Sequence, residues 1–170
     1  MAAILVSWAT RYGSTEEVAH AIAFDLMEHH FSVNAQPMND VKSLERYSAI
    51  VLGFALYMGR IHKDARRFLT TFRDQLVQRP VAVFVLGPVN SDPHEFAEAE
   101  KQLKKELSPF PWFTPVALQV MGGRFDPTKL GMPFSFIPAL RNMPPLDARD
   151  WNSIHAWAGH LSGTFPPATH

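Results

Sequence analysis

The sequence predicts a doubly wound α/β domain on a parallel sheet. Three features predict it: five short apolar runs spread through the chain, four amphipathic helical stretches among them, and Gly- or Pro-bearing turns at the joins. Strands that alternate with helices build right-handed βαβ units, and these stack into a parallel sheet covered on both faces. Five such strands fit the order 2-1-3-4-5. In sheets of that order, ligands bind beyond the carboxyl ends of the strands, near the switch point between the first and third.

Taken in order, residues 3–9 (AILVSWA) form a continuous apolar run, which reads as a strand buried on both faces. Residues 15–29 then place Val18, Ala19, Ile22, Ala23 and Leu26 on one helical side. A weaker strand is expected over 31–37 and a third buried one over 49–54 (AIVLGF). Residues 62–72 repeat Ala65, Phe68, Leu69 and Phe72 at helical spacing, and 81–86 (VAVFVL) form the fourth strand, stopped by Gly87-Pro88. A charged amphipathic helix follows over 93–107, then a fifth strand over 115–121 closed by Gly122-Gly123, and a last helix over 150–161. Between Gly122 and Asp150 lies a long Pro-, Phe- and Met-rich passage, and loops of that length are functional or hold structure of their own.

The bulk numbers agree with one compact domain over residues 1–170. Hydrophobic residues make up 46% of the chain, enough for a sizeable core, and 16 basic residues balance 16 acidic ones. A nucleic-acid binder is expected to carry a basic surplus, so that class is set aside. Cysteine is absent, which removes disulfides, thiolate nucleophiles and CxxC redox pairs together. Any redox work must therefore be carried by a cofactor. The start of the chain shows no basic, cleavable leader, and no apolar run approaches the ~20 residues a membrane span needs. A cytoplasmic location is expected.

The loop after the first strand, Thr10-Arg11-Tyr12-Gly13-Ser14-Thr15, has the hydroxyls and the glycine that a phosphate cradle at a helix N-terminus needs. A second reading stands beside it, in which Ser14 caps the helix and Glu17 completes a capping box. The loop is neither a Walker motif nor a GxGxxG fingerprint, and Ser7-Trp8-Ala9-Thr10 lacks the acidic pair of a response regulator.

The opening AILVSWATRYGSTEEVAHAIA resembles that of flavodoxins, whose phosphate loop is a Ser/Thr-rich, Gly-containing turn at the same place. Residues 51–63 (VLGFALYMGRIHK), the ending 147–158 (DARDWNSIHAWA) and the enlarged region before the last helix are similar to a narrower branch. That branch contains the short, FMN-dependent protoporphyrinogen dehydrogenases that pass electrons to menaquinone. The resemblance implies a flavodoxin-like fold with FMN bound non-covalently. Thr10 through Thr15 would hold the phosphate; Leu56, Tyr57, Met58 and Gly59 would flank the isoalloxazine; Gly87, Pro88, Val89 and Asn90 would line its edge. Tyr57 offers a flat face for stacking, and Gly59 permits close approach of the backbone. Two departures from electron-carrier flavodoxins stand out: no aromatic follows the fourth strand, and the chain is not acidic. Both favour an enzyme over a diffusible carrier, with Phe125 or the Phe134/Phe136 region as the source of a second ring.

Arg60, His62 and Lys63 are candidates for an acidic substrate's carboxylates, against the alternative of a solvated helix start. His29-His30 and His155/His160 show neither metal-ligand spacing nor a carboxylate partner, and no metal site is expected. Gly122-Gly123 reads either as a ligand contact or as a tight turn. The apolar run 132–140 either lies on a membrane surface and admits quinone or folds onto the protein's own core. The expected function is FMN-dependent oxidation of protoporphyrinogen IX, or a similar reduced substrate, with electrons passed to a quinone. The alternatives are a flavodoxin-type relay between redox protein partners and a domain that has lost FMN. Monomer and homo-oligomer both remain open.

Overall fold

The computed structural model describes residues 3–167. Its centre is a sheet of β1 (Ala3–Trp8), β2 (Val33–Pro37), β3 (Tyr47–Tyr57), β5 (Val81–Leu86) and β6 (Ala117–Met121), in the order β2-β1-β3-β5-β6. All four pairings along that path are parallel. Counted alone, these five strands have the expected order. The sheet differs from expectation by a sixth, two-residue strand, β4 (Arg60–Ile61), which folds back antiparallel on the end of β3.

Each central strand is buried on both faces. Leu5, Ile50, Leu52, Val83 and Val85 point into one core layer, roofed by α2 (Lys63–Thr71), a short α3 (Arg73–Leu76) and α4 (Pro93–Leu107). Ile4, Val6, Val51, Ala82 and Phe84 point into the other, roofed by α1 (Ser14–Glu28) and α6 (Trp151–Thr164). This is why the strand sequences read as continuous apolar runs rather than alternating ones. Gly53 is fixed by the second layer, because a Cβ there would overlap the ring of the fully buried Phe84.

The helix boundaries follow local chemistry. Asp92 and Asp150 cap α4 and α6 by accepting from the His94 and Ser153 amides, and Pro93 opens α4 where no amide is needed. α1 ends with His30 in the left-handed region (φ 66) and with bonds from the His30 and Phe31 amides to Met27 and Leu26. His29 and His30 thus belong to a helix terminus. His155 departs from expectation: its Nδ1 lies 2.6 Å from Asp25 Oδ2, so it does have a carboxylate partner, and the pair joins α6 to α1.

The long passage holds structure of its own. A two-residue ribbon, β7 (Arg124–Phe125) with β8 (Leu146–Asp147), closes its base, and short helical turns at 127–129 and 134–136 lead to α5 (Pro138–Arg141). None of those turns buries a residue fully. Met132 and Phe136 are each 70% exposed, so the expectation that this run folds wholly onto the core is not met. The glycines before it serve close packing. A Cβ on Gly122 would overlap the Ala148 carbonyl, and one on Gly123 would lie 2.6 Å from the Gly87 carbonyl oxygen. Neither lies in an assigned turn, and the close contacts made at both are with backbone.

Candidate functional site

The site gathers at the carboxyl end of β1, where the chain turns into α1. Gly13, with φ 90, is the residue before the helix, and it is Gly13 rather than Ser14 that occupies the cap position. No side chain caps α1, so the capping-box reading is overturned. Glu17 instead meets Arg149 at 2.6 Å and Arg124 at 3.4 Å. Ser14 is the first helical residue, and the opening amides of α1 have no carbonyl one turn earlier to bond. Thr10 Oγ1 accepts from the Gly13 amide at 2.8 Å, which shapes the turn and leaves the hydroxyl proton free to donate.

The Thr15 hydroxyl is the most informative group here. Thr15 is 1% exposed and its Oγ1 has no hydrogen-bond partner among the described residues. A buried, unpaired hydroxyl is costly and rare, and at the mouth of a helix its natural complement is an anion. Positive charge is also present. Lys129, from the turn before α5, places Nζ 3.5 Å from the Tyr12 carbonyl oxygen and 3.9 Å from where a Gly13 Cβ would stand. Nothing in the local sequence marked Lys129; it reaches the loop from more than 110 positions away.

Next to the loop is an aromatic niche. Tyr12 and Tyr57 meet edge-on with centroids 5.8 Å apart, and Tyr57 meets Phe134 in the same manner at 5.9 Å. The Arg11 guanidinium lies 5.0 Å from the Tyr57 centroid, 5.4 Å from Tyr12 and 5.6 Å from Phe134, within cation–π range of all three. Of the aromatics considered as a second ring, it is Phe134 that faces Tyr57. Burial, and after it the neighbouring Tyr12 hydroxyl, pushes the Tyr57 phenol up to about 12. The two hydroxyls are not in hydrogen-bond geometry, and Tyr12 Oη is buried and unpartnered among the described residues as well.

The segment Leu56–Gly59 is the tip of the β3–β4 hairpin. Leu56 pairs with Ile61 and Tyr57 with Arg60, so Met58 and Gly59 form a two-residue turn with φ 50 and 75. Such hairpin turns need positive φ at both positions, which accounts for Gly59; Met58 is 78% exposed. Loop 87–90 is positioned differently. Gly87 donates to Met121, and the Gly123 amide donates to the Pro88 carbonyl at 2.7 Å, tying this loop to the end of β6. Asn90 accepts from the Asp92 amide, and its side chain serves the start of α4.

Arg60, His62 and Lys63 do not converge. His62 caps α2 through Nδ1, which accepts from the Asp64 amide at 3.1 Å, and Lys63 opens that helix in solvent. Both fit the solvated helix start. Arg60 instead lines a cavity of ≈ 540 Å³ with Met58, Gly59, Gln102, Lys101 and Lys105. The base of the long passage is braced by Arg149, which is 4% exposed and grips Asp147 through two bonds of 2.9 and 2.8 Å. That grip holds the Asp147 carboxyl below its usual range. Among the described residues no cluster of three or more His, Cys, Asp or Glu is placed to hold a metal, and no helix is long and apolar enough to cross a membrane.

A doubly wound α/β protein with a hydroxyl-lined, cation-flanked loop at the switch point belongs to the class that binds phosphate-bearing cofactors. The comparisons narrow that class. Residues 5–133 match the flavodoxin domain family, and the chain belongs to it. Among solved structures it is similar to oxidised flavodoxin 2 from Bacillus cereus, with 22% identity, a TM-score of 0.63, and coverage of 96% of this chain and 100% of that one. It is also similar to a Fusobacterium nucleatum flavodoxin bound to flavin mononucleotide, with 16% identity, TM-score 0.57, and coverage of 98% and 100%. Rubredoxin oxygen:oxidoreductase from Desulfovibrio gigas matches over 95% of this chain but 35% of its own, at 13% identity and TM-score 0.55. Likeness at these identities speaks to the fold. No curated protein matches the sequence.

Proposed function

We propose that this chain is an FMN-dependent oxidoreductase whose 10–15 loop holds the cofactor phosphate. The observation that carries the reading is the buried, unpartnered Thr15 hydroxyl at the mouth of α1. The residues present fit the group: the Thr10 and Thr15 hydroxyls and the first amides of α1 would donate to phosphate oxygens, and Lys129 beside the loop would add positive charge. The aromatic niche of Tyr12, Tyr57 and Phe134, with the hairpin tip at Met58-Gly59, suits the flat ring. FMN, when bound, supplies the electron-accepting chemistry. The chain's own part is to orient and insulate. Tyr57 stays a neutral phenol at working pH, Arg11 covers the niche, and the 127–141 passage shields it from water through Phe134.

The finer reading is oxidation of a reduced, carboxylate-bearing substrate of the protoporphyrinogen IX type, with electrons passed to a quinone. Its supports are the neutral chain, the missing aromatic after β5, and the exposed apolar residues Met132, Phe136 and Ile137 beside the niche. Those residues suit contact with a membrane surface where quinone resides. A second reading, a relay between redox proteins, draws support from the match to whole flavodoxin chains.

The first test is the visible spectrum of the purified protein. A flavin band released as FMN on denaturation supports the cofactor assignment, and Thr15→Asp or Ser14→Asp should abolish it by setting a carboxylate against the phosphate. A protein that is colourless and takes up no added FMN refutes it. Anaerobic bleaching by protoporphyrinogen IX, with recovery on adding a menaquinone, then separates the enzyme from the relay.

A further inference from the structure

The sheet ends on β6, whose outer edge meets no other strand among the described residues. Edge strands are ordinarily blunted by charge, proline or a bulge, because their unpaired backbone groups invite another strand. The opposite edge, β2, ends in Pro37. β6 itself (Ala117–Met121) carries neither charge nor proline, and Pro115 stands two residues before its start. By the two-residue period, Val116, Leu118 and Val120 share the face toward α4. Val120 is buried there, but Val116 is 51% and Leu118 46% exposed. Beside them is a cavity of ≈ 520 Å³ whose apolar wall is Leu103, Leu107, Phe110 and Phe113, with Glu100 and Lys104 at its rim.

We propose that this edge is a homodimer interface, in which β6 pairs antiparallel with β6 of a second copy of the chain. Antiparallel self-pairing satisfies the edge without a new sequence, since each copy presents the same row of donors and acceptors in reverse. A twofold axis normal to the sheet keeps both α4 helices on one face, so each half-open groove closes on the other and Val116, Leu118 and their counterparts leave water. The rim charges fit a twofold. Glu100 and Lys104 stand one helical turn apart, and reversing one copy sets each carboxylate toward the other copy's ammonium, where a rim of one sign would repel. The interface lies on the far edge of the sheet from β2 and leaves the 10–15 loop untouched, so it holds or fails independently of the cofactor assignment.

Sedimentation velocity on the full chain, over a range of micromolar concentrations, tests this. The expected species has twice the 19.1 kDa chain mass. Leu118→Lys, which places a charge on the edge, should return it to a monomer while FMN uptake, measured in parallel, is retained. Should that variant misfold, the charge series decides: Glu100→Lys alone weakens the dimer, and Glu100→Lys with Lys104→Glu restores it. A wild-type chain that stays monomeric throughout overturns the proposal. So does a dimer that survives a folded Leu118→Lys, because the contact then lies elsewhere.

Discussion

Replacing Thr15 by valine removes one hydroxyl and keeps the branched shape, and it should move two measurements in opposite directions. In the cofactor-free protein the hydroxyl is buried without a partner, and an unsatisfied group of this kind costs about 1–3 kcal/mol. Valine lifts that cost, and its helix propensity is close to that of threonine. The apoprotein should gain about 1 kcal/mol, which for a chain of this size raises the melting temperature by roughly 2–4 °C. With FMN the sign reverses. A hydrogen bond to a charged phosphate contributes about 1.5–3 kcal/mol, and each 1.4 kcal/mol is tenfold, so the dissociation constant should rise roughly 10- to 150-fold. Thermal melts of apoprotein and quenching of flavin fluorescence on titration read the two quantities separately. A variant that melts lower yet binds FMN as tightly as wild type would refute the assignment, since the hydroxyl would then have a structural partner and no role toward phosphate.

Two further expectations follow from packing and burial. Gly53→Ala drives a methyl into the Phe84 ring, and overpacking at a site with no room costs about 3 kcal/mol; urea unfolding should show a lower midpoint with an unchanged slope, and an unmoved midpoint would mean that the two core layers yield more readily than they look. Tyr57 has its pKa raised from 10.0 to about 12 by burial first and Tyr12 second, so the folded state favours the neutral phenol. Its contribution to stability is whole below pH 10.0 and is lost as pH climbs toward 12. In the apoprotein, phenolate absorbance should include a late titration step, and Tyr57→Phe should delete it.

Much of the fold was legible because burial on both faces writes itself into a parallel strand. The strands expected over 3–9, 81–86 and 115–121 are legible from their apolarity, the last two also from Gly87 and Gly122 that stop them. The ends were less legible. β3 runs on to Tyr57, because β4 folds back to pair with it, and the Met58-Gly59 turn between them is the sequence signal of that hairpin. Ser14 looked like a cap by residue type, yet Gly13 takes that place because the turn demands φ near 90. The loop 10–15 could be found from its own residues. Lys129 and Phe134 could not, since what brings them to the loop is the path of the 124–147 excursion, and that path is set by long-range pairs such as Arg149 with Glu17. His155 and Asp25 were invisible for the same reason, being neighbours only once α6 lies on α1.

The contacts of Gly87, Gly122 and Gly123 also bear on how the ligand-side rim of the sheet moves. The loops after β5 and β6 and the lead-in to α6 are locked to one another through main-chain atoms: Gly123 to Pro88, Ala148 to Gly123, and Gly87 to Met121. Their close approach depends on the missing side chains of Gly122 and Gly123, where a Cβ would overlap neighbouring backbone. A side chain at Gly122 or Gly123 would therefore push on the main chain of a neighbouring loop, and the rim would shift as one piece rather than residue by residue.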